Sequence, residues 1–468
     1  MPGFHIEHFG CRAARADGEA IASHLRVAAG EQAFDADVVV VNTCSVTAEA
    51  DRAARAYIRR AHRRNPAARI VVTGCYAQRA PQELARMPGV AAVVGNSHKA
   101  LAPEIILSFA QAAPLPVAQP PSLVPLQSLF AASMPHAAPV WADDRFAHSF
   151  LEDTELQSGE QTRPNLKIQE GCSNRCTFCV IPYTRGPSRS LTAAAVLRRV
   201  ADFAAAGGNE LVLSGINLGR WGRDSAPGIG RDSLAGLVRG ILEQTTLPRL
   251  RLSSIEPMDW TGELIALLRE YGGVRLCRHA HLPLQSGSDA VLRRMHRRYR
   301  PWHYADKVSA LLGSAGPDLT LGADVMVGFP GETDREFEET LALIRAFPFG
   351  YLHLFPFSPR PETPGWALHA ASPVPQAVVD ERIAALRDLA AEKSSAHRSR
   401  FLGRMLSAIT LHTPSALAAQ GRTAALTENF LPVDLAGTYA ANQLLEVHVE
   451  ALGEDATLLC RPAVLHVA

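Results

Sequence analysis

Residues 171–187 read Gly171-Cys172-Ser173-Asn174-Arg175-Cys176-Thr177-Phe178-Cys179-Val180-Ile181-Pro182-Tyr183-Thr184-Arg185-Gly186-Pro187. Cys172, Cys176 and Cys179 form a C-x3-C-x2-C run. Three thiolates can hold three irons of a 4Fe–4S cube and leave the fourth open to a small molecule. A zinc site would ask for four protein ligands, usually in paired C-x2-C form, and the next histidine after this run is His279. The bland alternative is three small core residues that happen to cluster.

The surroundings of this loop alternate between strand and helix. Asn165–Glu170 predicts a strand leading into it, and further strands read at Glu210–Gly215, Arg249–Ser254, His279–Leu284, Leu319–Val327 and Tyr351–Phe357. Helical patterns lie between them at Thr192–Ala206, Ser233–Gln244, Met258–Tyr271, Ser288–His296, Trp302–Leu312 and Glu332–Ala346. Alternation of this kind predicts a (β/α)6 partial barrel over residues 164–398, whose chemistry would sit on the loops after the strands. Those loops carry Ser214, Gly215, Glu256, Gln285 and the Gly328-Phe329-Pro330-Gly331-Glu332-Thr333 turn, groups that let a cofactor approach closely. The same turn also reads as ordinary turn and helix-start chemistry. Asp324 falls inside a strand, where a charge wants a buried partner or a ligand.

Residues 1–105 read as βα units with a parallel sheet. Three predicted strands, Phe4–Phe9, Asp37–Val41 and Arg69–Thr73, each run into a cysteine: Cys11, Cys44 and Cys75. Ligands collect at the carboxyl ends of parallel strands, so the topology would bring these distant thiols together as a second three-cysteine site. Three small residues at βα turns are the alternative. The helix after Cys44 carries Arg52, Arg55, Arg59, Arg60, Arg63 and Arg64, and residues Arg293–Arg300 form a second basic block around Tyr299. Each reads equally as a solvated face or as a surface for RNA phosphates, with Tyr299 available for stacking.

Residues 106–163 read as a Pro/Ala-rich linker, and 399–468 as five short strands of a small OB-like barrel. The chain has 468 residues, 47% hydrophobic and 20% charged, enough for two to four ordinary globular domains. A net charge of +1 excludes polyanion binding by global charge and leaves it to local patches. No apolar run reaches spanning length, so no membrane partner is expected, and eight cysteines without a leader pattern suggest metal ligands or free thiols in a cytoplasmic protein. Cys277 and Cys460 stand alone and read as inert buried thiols.

Taken together, the run followed by Val180-Ile181-Pro182, the Cys11/Cys44/Cys75 triad and the five-strand tail resemble the radical-SAM methylthiotransferases. The stretches Val72-Thr73-Gly74-Cys75-Tyr76-Ala77-Gln78, Lys167-Ile168-Gln169-Glu170-Gly171-Cys172, Arg185-Gly186-Pro187-Ser188-Arg189-Ser190 and Val327-Gly328-Phe329-Pro330-Gly331-Glu332-Thr333 resemble the branch acting on threonylcarbamoyladenosine 37 of the tRNA anticodon loop. Other branches of the family act on isopentenyladenosine of tRNA or on a ribosomal-protein aspartate. The resemblance implies two 4Fe–4S clusters and S-adenosyl-L-methionine (SAM), with Cys172, Cys176 and Cys179 holding the catalytic cluster and Cys11, Cys44 and Cys75 the sulfur-carrying one. It implies that the first cluster cleaves SAM to a radical that takes hydrogen from C2 of adenine. Phe178, Ser214, Gly215, Glu256, Gln285 and Asp324 are the expected SAM contacts. It further implies tRNA, an electron donor such as flavodoxin or ferredoxin, and a sulfur source as partners, and a TRAM domain, an RNA-binding module, in the tail. A metal-stabilised RNA-binding protein without chemistry is the reading from a different class.

Overall fold

The computed structural model describes residues 3–29, 36–111, 137–147, 162–224 and 233–463. The N-terminal unit is a five-stranded sheet in the order β1 (Phe4–His8), β2 (Val38–Thr43), β3 (Arg69–Gly74), β4 (Val90–Gly95) and β5 (Val140–Trp141). Every pair in it is parallel. Side chains alternate across a strand, so β2 feeds two cores at once. Val38 and Val40 pack with α1 (Arg12–Ala29), whereas Val39 and Val41 pack with Ala54 and Ile58 of α2 (Ala48–Arg64). Thr47 starts α2 by accepting a hydrogen bond from Ala50 N at 3.2 Å.

The sequence reading missed β4, although Pro88-Gly89 and Gly95-Asn96 bracket its short apolar run, and it missed β5. It had placed Val140 and Trp141 in the linker, yet they pair with Val93 and Val94. An apolar dipeptide inside a Pro/Ala-rich stretch carries no period, so only the open edge of β4 reveals it as a strand. The start of that stretch, Ala102–Gln111, is helical. The expectation for 112–136 and 148–161 falls outside the described residues.

The central unit has six parallel strands curled in chain order. β6 (Asn165–Glu170), β8 (Glu210–Gly215) and β9 (Arg249–Leu252) form one sheet, edged by the antiparallel β7 (Arg189–Ser190). β10 (His279–His281), β11 (Thr320–Val327) and β12 (Phe349–Pro356) form the other. Hydrogen bonds from Ile255 N to His281 O (3.1 Å) and from Cys277 N to Leu250 O (2.9 Å) join the two, and one apolar core spans both. The arrangement is the expected partial barrel. The predicted helix from Met258 begins instead at Gly262, because Pro257–Asp259 forms a 3-10 turn. A helix at Pro364–Ala371 was not anticipated.

Helix Gln376–Ser399 packs on β12 and delivers the chain to a closed barrel of β13 (Met405–Thr410), β14 (Arg422–Thr427), β15 (Pro432–Ala436), β17 (Leu458–Pro462) and β16 (Leu444–Leu452). Polar bonds anchor this barrel under the central one. Arg251 Nη2 donates to Thr427 O at 3.1 Å, Arg278 Nε to Glu428 Oε1 at 2.8 Å, and Asn429 Nδ2 to Asp318 O at 3.1 Å. Among the described residues, no helix is long and apolar enough to cross a membrane.

Candidate functional site

The cysteine loop of the central barrel owes its shape to Gly171. Its φ of +71° suits glycine, and a Cβ there would fall 2.0 Å from Pro187 O. Cys172 N then donates to Gly186 O at 3.0 Å and Cys179 N to Cys176 O at 3.1 Å, which folds the loop back over its own strand. Each sulfur meets a donor. Cys172 Sγ accepts from Asn174 N (3.5 Å) and Asn217 Nδ2 (3.7 Å), Cys179 Sγ from Ile181 N (3.5 Å), and Cys176 Sγ from Arg297 Nη1 (3.3 Å). Burial first, then crowding by the neighbouring sulfurs, pushes Cys179 up to about 12, and Cys172 shifts the same way. Three crowded sulfurs turned inward are a set that a cationic group would stabilise.

The second triad forms at the carboxyl edge of the N-terminal sheet. Register pairs His8 with Asn42 and Asn42 with Thr73, so the three strands end level and release Cys11, Cys44 and Cys75 side by side. Gly10, with φ +100°, makes the approach possible: a Cβ would lie 2.1 Å from Cys44 Cβ. Cys75 opens a helix, Cys75–Arg79, rather than lying on a turn. A hydrogen bond between Cys11 and Cys44 pulls Cys11 down, to about 5, and pushes Cys44 up.

Among the described residues, neither triad draws all three ligand atoms within 4.8 Å of one another. A tetrahedral zinc with Zn–S bonds of about 2.3 Å would hold its sulfurs about 3.8 Å apart. The wider, all-sulfur sets fit the iron–sulfur cube better than a single ion.

The two triads are wired together. Asn96 Nδ2 donates to Cys75 Sγ at 3.4 Å and to Thr184 O at 2.8 Å. Thr184 belongs to the short helix Ile181–Arg185, which begins two residues after Cys179. The next residue, Arg185, is 1% exposed and donates Nη1 to Asp17 Oδ2 (3.0 Å) and Glu170 Oε1 (2.8 Å). Lys99 meets Asp17 at 2.5 Å and Lys167 meets Glu170 at 2.5 Å. Three cations therefore face two carboxylates in a dry core beneath both cysteine loops. Arg185 is raised well above its ordinary value; burial opposes this, and the thiol of Cys75 is the largest favourable cause. Sequence reasoning gave none of these charges a role. Their only signal is that Lys167, one of the chain's four lysines, lies five residues before Cys172.

A cavity of about 420 Å³ opens beside Cys11. Ile181, Ser214, Gly215, Ser253 and Ser254 line one part, and His279, His281, Asp324, Tyr351 and His353 another. Of the expected SAM contacts, Ser214, Gly215 and Asp324 border this cavity, whereas Phe178, Glu256 and Gln285 are not among its lining residues. Ser214 Oγ and Gln285 Oε1 are buried without a hydrogen-bond partner, and Gln285 holds φ +63°, so both have unused capacity for a polar ligand. Glu256 is engaged by Arg297 Nη2 at 2.7 and 2.6 Å. Phe178 packs half-buried against the barrel core.

Asp324 has the partners its position demanded, His281 Nε2 at 3.1 Å and His353 Nδ1 at 3.2 Å. Burial would raise its carboxyl, but the two imidazoles outweigh that and hold it well below the usual range. Sequence reasoning missed these histidines and Tyr351. The i, i+2 spacing of 279/281 and 351/353, on the strands that flank the one carrying Asp324, was the signal that could have found them.

Much of the second basic block is turned into the fold, leaving Arg293, His296 and Arg298 exposed. Tyr299 is fully buried, donating to Pro283 O and Leu284 O, and Arg297 supports Cys176. Arg294 pairs with Glu336, and Arg293 and Arg300 pair with Asp289. By contrast Arg52, Arg59, Arg60, Arg63 and Arg64 of α2 are exposed. The turn at Gly328–Thr333 is buttressed: Glu332 accepts from Gly328 N at 2.8 Å and pairs with Arg382 at 2.9 Å, while Thr333 caps the following helix.

Two family models match the chain: one described as uncharacterized protein family UPF0004 over residues 3–95, and the radical SAM superfamily over residues 166–344. A Bacillus subtilis protein named threonylcarbamoyladenosine tRNA methylthiotransferase MtaB is 34% identical over 442 residues, covering 93% of this chain and 90% of that one. A protein of the same name from Aquifex aeolicus is 33% identical, covering 88% and 90%. A tRNA-2-methylthio-N(6)-dimethylallyladenosine synthase from Geobacter metallireducens is 34% identical, covering 77% and 76%. Among solved structures, the radical SAM methyltransferase TsrM from Kitasatospora setae shares the fold, with a TM-score of 0.56 at 16% identity, over 78% of this chain and 77% of that one.

Proposed function

The chain belongs to the radical SAM tRNA methylthiotransferase family, and we propose that it replaces the C2 hydrogen of N6-threonylcarbamoyladenosine 37 in tRNA with a methylthio group. One observation carries this reading: a single cavity is bordered both by Cys11 of one cysteine triad and by Ile181, which follows the last cysteine of the other. When bound, the two 4Fe–4S clusters and SAM supply radical generation at Cys172/Cys176/Cys179 and a methylated sulfur at Cys11/Cys44/Cys75.

The chain's own residues hold and orient. Asn217 and Arg297 steady the sulfurs of the first site, and Asn96 steadies the second. Ser214, Gly215 and Gln285 are suited to SAM by their unused polar atoms and close backbone. The arginines of α2 offer phosphate contacts for the anticodon stem, and adenine 37 must leave its stack to enter the cavity. We read residues 1–105 as the sulfur-cluster unit, 164–398 as the radical unit, 399–468 as an RNA-binding unit, and 106–163 as their connector. A low-potential electron donor of the flavodoxin or ferredoxin class and a separate sulfur source complete the reaction, which we place in the cytoplasm.

Nucleoside mass spectrometry of tRNA from a strain lacking the gene tests the proposal. Loss of the methylthio form of threonylcarbamoyladenosine, with that nucleoside itself retained, is expected. Loss of the methylthio form of isopentenyladenosine instead would move the chain to the branch of its Geobacter relative.

A further inference from the structure

The His/Asp/Tyr wall of the cavity has no part in holding either cysteine triad. It is built by three neighbouring parallel strands. Register sets His281 of β10 beside Gly322 of β11, and Asp324 of β11 beside His353 of β12. Residues two apart on a strand face the same side, so 279, 281, 324, 351 and 353 converge. The Tyr351 hydroxyl lies 2.7 Å from His279 Nε2 and 2.9 Å from His281 Nδ1. That bond turns His281 Nε2 toward Asp324, 3.1 Å away. Phe430 of the C-terminal barrel stacks on His279 at 4.3 Å and fixes the wall from behind.

The position of this wall decides what it meets. Cys11 borders the cavity, and none of Cys172, Cys176 and Cys179 does. SAM must reach the second group, whereas the base that receives sulfur must reach the first. The cavity therefore serves SAM at Ser214 and Gly215 and the base beside Cys11, and its His/Asp/Tyr wall is available to the substituent on N6. A prenyl chain placed there would strip water from Asp324 and His353 and return no hydrogen bonds, which is costly for buried polar groups. A threonylcarbamoyl chain offers ureido N–H and hydroxyl donors to Asp324, and a carboxylate to the imidazole of His353, the most exposed member at 58%. No Lys or Arg lines the cavity among the described residues, so the imidazoles are the nitrogen side chains a carboxylate would meet there.

We propose that His281, Asp324, Tyr351 and His353 form the subsite that reads the N6 substituent, and that it takes a carboxylate-bearing, hydrogen-bonding acyl chain in preference to a hydrocarbon one. The assignment rests on the reaction proposed above. It moves Asp324 from the SAM cradle to the substrate. A site built around hydrogen bonds can reject a substrate lacking them by factors far beyond those of an apolar pocket.

The test is equilibrium binding of anticodon stem–loop RNA to the cluster-loaded protein without reductant. Two RNAs of one sequence are compared, bearing threonylcarbamoyladenosine or plain adenosine at position 37. The wild type should prefer the modified RNA by about tenfold or more, a margin a few polar contacts supply. His353→Leu and Asp324→Asn should bring that ratio close to one while the plain RNA binds as before. Tyr351→Phe, which keeps the ring packing and removes only the hydroxyl, should shift it the same way by less and guards against misfolding. A ratio unchanged in all three variants, or a wild-type ratio near one, overturns the subsite. Turnover of the modified RNA with SAM and reductant is scored separately. Preferential binding without methylthiolation would sink the proposed reaction and leave the subsite standing.

Discussion

Arg297 shows how a single residue changes meaning between sequence and structure. In the chain it is one arginine in a basic block; in the fold its guanidinium is buried between Glu256 and Cys176 Sγ. Removing one partner of a buried ion pair costs about 3–5 kcal/mol, mostly from the charge left behind. Arg297→Gln should therefore lower the unfolding midpoint and loosen iron at Cys176, as seen by calorimetry and by the rate of iron loss to a chelator. A midpoint within a degree of wild type would show that the pair contributes nothing. The cysteines make the complementary prediction. With both sites loaded the chain should carry about eight irons, two cubes of four. Cys75→Ala or Cys176→Ala should each bring iron and acid-labile sulfide to about half. The six cysteines were legible because each stands in a motif or at a strand end. Arg297 and Arg185 were not, because nothing in their neighbours along the chain announces a buried partner.

Elements carry the coupling between the two sites. The helix Ile181–Arg185 is one and a half turns long, yet it starts beside Cys179 and ends in the network where Glu170 of its own unit meets Asp17 of the N-terminal one. Both carboxyls lie below their ordinary values of 3.8 and 4.5: burial pushes them up, but Lys167, Lys99 and Arg185 outweigh it. A carboxyl whose pKa is depressed on folding adds stability above its unfolded value, and that stability is lost as pH falls through the folded one. The unfolding midpoint should accordingly hold steady at neutral pH and decline once pH drops below about 4.5, as protons begin to compete for the unfolded carboxyls. Asp17→Asn with Glu170→Gln should flatten that acid limb; a limb as steep as in wild type would place the acid sensitivity elsewhere. The strands themselves were readable from apolar runs bounded by Gly and Pro. Strand β4, preceded by Pro88-Gly89, was legible on the same terms and was passed over, whereas β5 escaped because it is two residues long.

For the whole molecule, the C-terminal barrel is a support as well as a candidate RNA module. Glu428, 3% exposed, accepts from Arg278 N at 2.9 Å and Arg278 Nε at 2.8 Å, and Phe430 backs the histidine wall of the cavity. Glu428→Ala should cost about 1–3 kcal/mol by leaving the Arg278 donors unmatched. It should also split unfolding into two calorimetric steps as the small barrel detaches first; a single transition at the wild-type midpoint would show that Glu428 does not hold the two units together. The sequence by itself determined the alternation of strand and helix, the two cysteine triads and the family to which they point. Periodicity and spacing along a chain encode these directly. The tertiary structure alone decided that the triads share a helix and a buried charge network, that Arg297 and Tyr299 of an apparent RNA-binding block are internal, and that five polar side chains from three strands and a phenylalanine from the last unit make one wall. Those facts depend on which residues meet across tens to more than a hundred positions of chain, and sheet register and barrel closure set them, not local pattern.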